Sequence, residues 1–263
     1  MKADYKNWVP KGMIYGLFSA AAVLALLFAI AAVLTKEAPV PLKITILVVL
    51  GLGAIICGCM AVWMKLLHDQ FSYDGKRKMS KQIIEGIAEY VDIQSGGKCL
   101  DVGCGSGALA IAVAKRNPTA DIIGVDRWGK EYASFNKKLC QSNAEAEGVS
   151  NTRFIQGDAL QLDFPNESFN AVVSNYVYHN IPSKDRQKIL LETLRVLKKG
   201  GTFAIHDIFS KAKYGDMKVF VEKLKSMGYE SVELIDTTEG KFMMPKEAKW
   251  MGLSGSALLV GKK

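Results

Sequence analysis

The chain has 263 residues, 49% of them apolar, and a formal charge of +8. That length holds one good-sized domain plus about 80 further residues. The composition excludes a disordered chain, a disulfide-stapled mini-protein and a nucleic-acid binder driven by one broad basic surface. Both charge and hydropathy are unevenly placed. Residues 12–35 and 44–64 carry no charge, and up to residue 81 ten Lys and Arg stand against four acids, whereas the remainder is nearly balanced at 24 against 22.

The first predicted elements are two apolar helices, residues 13–34 and 44–64, of 22 and 21 residues. At ~1.5 Å rise per residue each reaches across about 30 Å of hydrocarbon. Between them, Pro39 and Pro41 break helix and Lys36, Glu37 and Lys43 want water, so the pair reads as an antiparallel transmembrane hairpin. Ala21, Ala25 and Ala29 on one helix and Ala54 and Gly58 on the other supply small residues for close packing. A cleaved signal peptide is the alternative, but its apolar core spans only ~7–15 residues and leaves the second run unexplained. Buried core helices would show a polar stripe, and neither run does. Lys2, Lys6 and Lys11 before the hairpin and Lys65, Lys76, Arg77, Lys78 and Lys81 after it, against two lysines in the turn, place both termini in the cytoplasm. The expected organisation is a cytoplasmic segment at 1–11, the hairpin at 12–65, a basic linker with a leading amphipathic helix at 66–94, and a cytoplasmic domain at 95–263. Lys76 to Lys81 serve as a retention signal, and each basic residue near anionic head groups adds about 1 kcal/mol of attraction.

From Lys98 onward, strand-like and helix-like segments alternate. K-C-L-D-V, D-I-I-G-V-D, T-R-F-I-Q-G-D and F-N-A-V-V-S-N read as strands; A-L-A-I-A-V-A-K-R and residues 130–144 read as the helices between them. A helix over 186–197, a stop at Gly200-Gly201, the strand T-F-A-I-H-D, a helix over 214–227 and strands near 231–236 and 256–261 complete seven strands. The pattern predicts a doubly wound α/β domain.

The first strand runs into D-V-G-C-G-S-G-A, residues 101–108, directly before a helix. Such a loop lies at the carboxyl edge of the sheet, where glycines admit a ligand to the backbone and the helix start offers free amides. Read as Gly103-x-Gly105-x-x-Ala108 it fits a loose dinucleotide fingerprint. Read as Asp101-x-Gly103-x-Gly105-x-Gly107 it resembles the first motif of the class I S-adenosylmethionine-dependent methyltransferases. Asp101 separates the two, since a carboxylate there repels a pyrophosphate and attracts an ammonium and a sulfonium. The resemblance continues in order from Ser95 to Lys263. It implies a Rossmann-like methyltransferase fold with S-adenosyl-L-methionine as cofactor, held by Asp101, Gly103, Cys104, Gly105 and Gly107. It further implies that Asp126, with Arg127 beside it, accepts from both ribose hydroxyls, as a dinucleotide enzyme would also require. Asp158 would then read the adenine amino group, with Ala159 supplying a backbone donor. Ser174, Asn175 and Tyr176 would run under the transferable methyl.

Methyl transfer from a sulfonium is an in-line displacement, so positioning and desolvation supply much of the rate. A hydroxyl or protonated amine acceptor also needs a base, and histidine suits neutral pH. His179, after the fourth strand in Y-V-Y-H-N, is the first candidate, with Tyr176 beside it; His206 is second, and His68 reads as interfacial. Tyr73, Tyr176 and Tyr178 offer π faces to a cation. The five cysteines form no C-x-x-C pair, so neither zinc nor disulfides are expected. Asn175-Tyr176 lacks the prolines of the amino-methylating DNA enzymes, and no nucleic-acid partner is expected. The reading is a membrane-anchored methyltransferase acting on a small-molecule acceptor, a lipid or a quinone. Its rivals are action on a soluble metabolite or neighbouring membrane protein, and a sensor or scaffold that binds S-adenosylmethionine without turnover.

Overall fold

The computed structural model describes residues 2–129 and 134–263. Contacts divide the chain into two units, one comprising residues 7–78, the other residues 79–263 together with the segment ending at Lys6.

The first unit is a helical hairpin, α1 (Lys11–Leu34) and α2 (Val40–Phe71). Both are long and apolar enough to cross a membrane. The expected turn is shorter than its prolines suggested. Pro41 does not break the helix but sits in the first turn of α2, where its missing N–H has no partner to lose. The two helices approach at small residues: a Cβ at Gly53 would lie 3.3 Å from Leu24 Cδ1, and one at Gly58 would lie 4.0 Å from Ala21 Cβ. Outward-facing Leu26, Val33, Val49 and Ile55 are exposed, an apolar surface that water alone would not favour. At the far end, Asn7 Nδ2 donates to the His68 carbonyl, His68 Nδ1 lies 2.8 Å from the Val9 carbonyl, and Trp8 packs edge-on against Phe71.

The second unit opens with the amphipathic α3 (Met79–Ala88), whose Ile83, Ile84 and Ile87 are buried. It continues as β1 (Lys98–Val102), α4 (Ala108–Arg116), β2 (Asp121–Asp126), α5 (Lys137–Ala146), β3 (Thr152–Gln156), β4 (Phe169–Asn175), α6 (Arg186–Arg195) and β5 (Leu197–Ile208). The chain ends with α7 (Lys211–Tyr214), α8 (Met217–Ser226), β6 (Ser231–Asp236), α9 (Pro245–Trp250) and β7 (Ser256–Lys262). The seven strands lie in the order β3-β2-β1-β4-β5-β7-β6, parallel except for β7, which runs antiparallel between β5 and β6. Helices cover both faces, so the central strands are apolar almost throughout; Ala171, Val172 and Val173 of β4 are fully buried. The chain reverses direction of winding between β1 and β4, which opens a crevice at their carboxyl ends.

Three local expectations change. The helix expected from residue 130 begins at Lys137, because the Asn136 side chain accepts from Leu139 N–H and caps it; Lys130, Glu131, Tyr132 and Ala133 lie outside the described residues. The helix expected over 214–227 is two, α7 and α8, parted by Gly215 and restarted by the Asp216 cap. Gly200-Gly201 is not the stop of α6, which ends at Arg195; both glycines lie within β5, where the ladder to β4 shifts register.

A short N-terminal strap belongs to the second unit. Asp4 N–H donates to Asn143 Oδ1 at 2.7 Å, and Asn143 Nδ2 gives one hydrogen to the Asp4 carbonyl and the other to the Ser106 carbonyl, each at 3.0 Å.

Candidate active site

The glycine loop follows β1 directly, and its residues are held tightly. Gly103 has φ 75°, and a Cβ there would come within 2.5 Å of Val177 Cγ1, so the segment after β4 rests on the loop itself. Above Gly105 the space is open: none of the described residues lies within 4 Å of where its Cβ would be. Gly107 forms the N-cap of α4. Cys104 is buried, and burial pushes its thiol pKa up, leaving a packing residue whose backbone belongs to the loop.

Asp101 is 1% exposed beneath the loop, with Oδ2 accepting from Ala110 N–H at 3.0 Å. Burial first, and the neighbouring Asp126 charge after it, push its carboxyl up to about 8. Asp126, at the end of β2, accepts Gly105 N–H at Oδ2 (2.8 Å) and Trp128 N–H at Oδ1 (2.7 Å). Among the described residues each oxygen therefore keeps one acceptor direction unspent, enough for two vicinal hydroxyls. Arg127 is exposed next to it, and its carbonyl accepts from Gln156 Nε2. Asp158 lies in the turn after β3, one carboxylate oxygen capping Leu160 N–H; Ala159 follows in the same turn. An open glycine, an acid with two free acceptor directions and a second acid one strand along fit a cofactor with a ribose and an amino-bearing base.

Beyond β4 the backbone turns sharply. Asn175 ends the strand, its carboxamide 2.9 Å from His206 Nδ1, and Ser174 is buried with its hydroxyl donating to the Val102 carbonyl. Tyr176 takes φ 56°, an uncommon conformation for an aromatic residue, fixed by its N–H to the His206 carbonyl. The Tyr176 hydroxyl pairs with Ser256 Oγ at 2.9 Å, and Ser256 gives its own proton to the Leu253 carbonyl. Tyr176 therefore donates, its pKa is raised by burial, and the side chain offers a ring face rather than a proton acceptor. Tyr178 is a core residue, fully buried with its hydroxyl on Thr193, so it presents no face to a ligand. Among the other expected residues, Tyr73 and His68 belong to the first unit.

His179 lies in a one-turn 3-10 helix (Tyr178–Asn180), 15% exposed, with Nδ1 2.6 Å from Asp207 Oδ1. Asp207 is wholly buried at the end of β5 and, among the described residues, accepts four hydrogen bonds: from His179 Nδ1 and Ile208 N–H at Oδ1, and from Tyr178 N–H and His179 N–H at Oδ2. With Nδ1–H given to Asp207, His179 Nε2 carries a lone pair and has no partner among the described residues. The sequence points to His179 but not to Asp207 as its partner. The available signal was the parallel pairing of β4 and β5, which brings both strand ends to one sheet edge. His206, the second base candidate, is fully buried with both nitrogens engaged, and burial lowers its pKa to about 3.

Residues 93–249 match the family described as a methyltransferase domain. With this sheet order, the chain belongs to the class I S-adenosylmethionine-dependent methyltransferases, and S-adenosylmethionine is its cofactor. It is similar to demethylmenaquinone methyltransferase of Geobacillus kaustophilus, 33% identical over 118 residues, covering 44% of this chain and 47% of that one. It is also similar to 27-O-demethylrifamycin SV methyltransferase of Amycolatopsis mediterranei, 24% identical over 68% of this chain and 64% of the relative. The chain spans about half the length of the demethylmenaquinone relatives it matches. The fold is shared with Haemonchus contortus phosphoethanolamine N-methyltransferase 2, at a TM-score of 0.54 and 15% identity, covering 75% of this chain and 56% of that one.

Proposed function

We propose that this chain is a membrane-anchored methyltransferase whose acceptor is a small, lipophilic molecule bearing an ionisable hydroxyl, with His179 as the base. The observation that carries it is the His179–Asp207 pair. A wholly buried carboxylate fixes the imidazole tautomer and leaves Nε2 open at the sheet edge where the glycine loop ends. When bound, S-adenosylmethionine would supply an electrophilic methyl on a sulfonium, with the neutral thioether S-adenosylhomocysteine as the leaving group. Asp126 and Asp158 would hold the nucleoside, and Asp101 would lie on the methionine side. His179 Nε2 takes the acceptor proton as the hydroxyl oxygen becomes nucleophilic, and Asp207 stabilises the resulting imidazolium. The Tyr176 ring closes the same edge, 6.0 Å from the His179 ring.

Relatives named for quinone and rifamycin acceptors support a small-molecule acceptor. The membrane anchor rests on two long apolar helices and on the excess of Lys and Arg flanking them, which favours a cytoplasmic domain. Anchoring would hold the site close to a two-dimensional pool of acceptor and raise its effective concentration. Membranes incubated with methyl-labelled cofactor should pass label into the organic phase, and His179→Ala should abolish transfer while leaving cofactor affinity unchanged. A wild-type chain that binds cofactor and labels neither lipid nor aqueous extract would instead be a sensor. For topology, a cysteine placed at Glu37 should react with an impermeant reagent from outside intact cells; protection there would refute a cytoplasmic domain.

A further inference from the structure

Behind Asn175 runs a chain of hydrogen bonds that the methyl-transfer reading leaves unused. His206 pairs in register with Asn175 across β4 and β5, and its ring is fully buried. Nδ1 lies 2.9 Å from the Asn175 carboxamide, at the position of Oδ1, and Nε2 lies 3.0 Å from Thr237 Oγ1. Thr237, also fully buried, donates its hydroxyl proton to the Ser256 carbonyl at 2.9 Å. A hydroxyl has a single proton; with that of Thr237 on the Ser256 carbonyl, which also accepts Thr237 N–H, Oγ1 meets the ring as an acceptor and Nε2 carries the hydrogen. Burial keeps His206 neutral, which makes Nδ1 a lone pair.

A lone pair at Nδ1 calls for a donor opposite it. The half-turn that exchanges Oδ1 and Nδ2 of an amide leaves its shape unchanged, so the hydrogen-bond network decides which end points where. The Asn175 amino group is drawn to Nδ1, and the carbonyl oxygen is the end left over. The Asn175 side chain has no other partner among the described residues.

We infer that Thr237 and His206 are positioning residues that turn the Asn175 carboxamide so that its oxygen faces the sulfonium side of the cofactor site. This rests on the reading that Asn175 lies beside the transferable methyl. The oxygen end of a carboxamide dipole attracts the cationic S-adenosylmethionine and is indifferent to the neutral S-adenosylhomocysteine. The device thus discriminates cofactor from product, and the Thr237 hydroxyl sets its sign. Without that acceptor, His206 is free to carry its hydrogen on Nδ1, and Asn175 turns its oxygen inward and its amino group to the site.

The test uses the full chain in detergent micelles. Nitrogen-15 shifts of the His206 ring report its tautomer, and calorimetry gives the ratio of affinities for S-adenosylmethionine and S-adenosylhomocysteine. Wild type should show the Nε2–H tautomer. Thr237→Val should switch it to Nδ1–H and reduce the preference for S-adenosylmethionine about five- to tenfold, the scale of one hydrogen bond; Thr237→Ser should retain both wild-type values. An Nδ1–H tautomer in wild type overturns the inference with no variant needed. So does an unchanged affinity ratio in Thr237→Val. Failure of wild type to bind S-adenosylmethionine at all would defeat the functional reading instead, and the tautomer would still be measured.

Discussion

Replacing Asp207 by Asn removes one charge and one acceptor from a carboxylate on which every contact is a donor. Oδ1 receives His179 Nδ1 and Ile208 N–H, both at 2.6 Å, while Oδ2 receives Tyr178 N–H at 2.7 Å and His179 N–H at 3.3 Å. The asparagine amino group must replace one of the two oxygens. At Oδ2 it would face two backbone N–H groups that cannot change. At Oδ1 it faces one such group and an imidazole that can shift its hydrogen to Nε2, so this orientation wins. The consequence is a His179 whose outward nitrogen is a donor rather than a base. With His179 as the proposed base, its loss should lower kcat about 10²- to 10⁴-fold, and the stranded Ile208 N–H should cost about 1–3 kcal/mol of stability. Single-turnover transfer from methyl-labelled cofactor into membrane lipid extract measures the first, and thermal unfolding measures the second. Cofactor affinity should stay within about twofold, because none of these hydrogen bonds reaches Asp101, Asp126 or Asp158. An Asp207→Asn variant that keeps more than about a third of wild-type kcat would refute the reasoning, as would a fall in kcat matched by an equal fall in cofactor affinity.

Two further expectations concern the loop. Gly103→Ala and Gly200→Ala both place a Cβ at φ near 75°, but only the first meets neighbours, the Val177 methyls. Gly103→Ala should cost about 2–4 kcal/mol and Gly200→Ala about 1 kcal/mol in unfolding measurements; equal losses would show that Val177 moves aside freely. Asp101 is held up to about 8 in the folded chain, above its ordinary value of 3.8. Between those values the folded state keeps a proton that the unfolded state releases, so this residue's contribution to stability is present at low pH and lost as pH rises towards 8. The slope reaches about 1.4 kcal/mol per pH unit. Asp101→Asn should abolish that slope, gaining on wild type as pH goes from 5 to 8. Parallel curves for the two proteins would place a compensating cation beside Asp101.

What the sequence disclosed was what is local. A strand, three alternating glycines and a helix announce themselves by period within twenty residues, and the acids at the ends of β2 and β3 follow by counting strands. What stayed hidden depends on residues distant in the chain. Gly200-Gly201 looks like a helix stop because nothing in the sequence says that the backbone beside Asn170 must admit a glycine: a Cβ at Gly201 would lie 2.8 Å from the Asn170 carbonyl. Tyr178 looks like a rim aromatic until Thr193 takes its hydroxyl. His206 and Asp207, adjacent in sequence, alternate across the strand, so one is locked into a neutral buried network while the other serves His179.

The strap at Asp4 has a consequence for biogenesis. Its partner Asn143 lies 139 residues downstream and also holds the Ser106 carbonyl of the glycine loop. A ribosome delivers the strap first, then the whole hairpin, and only much later the α5 helix that receives it. Asp4 can therefore meet Asn143 only after α1, α2 and α5 have all been made. An amino-terminal fusion that blocks this late step would leave the helices intact and the glycine loop without one of its supports.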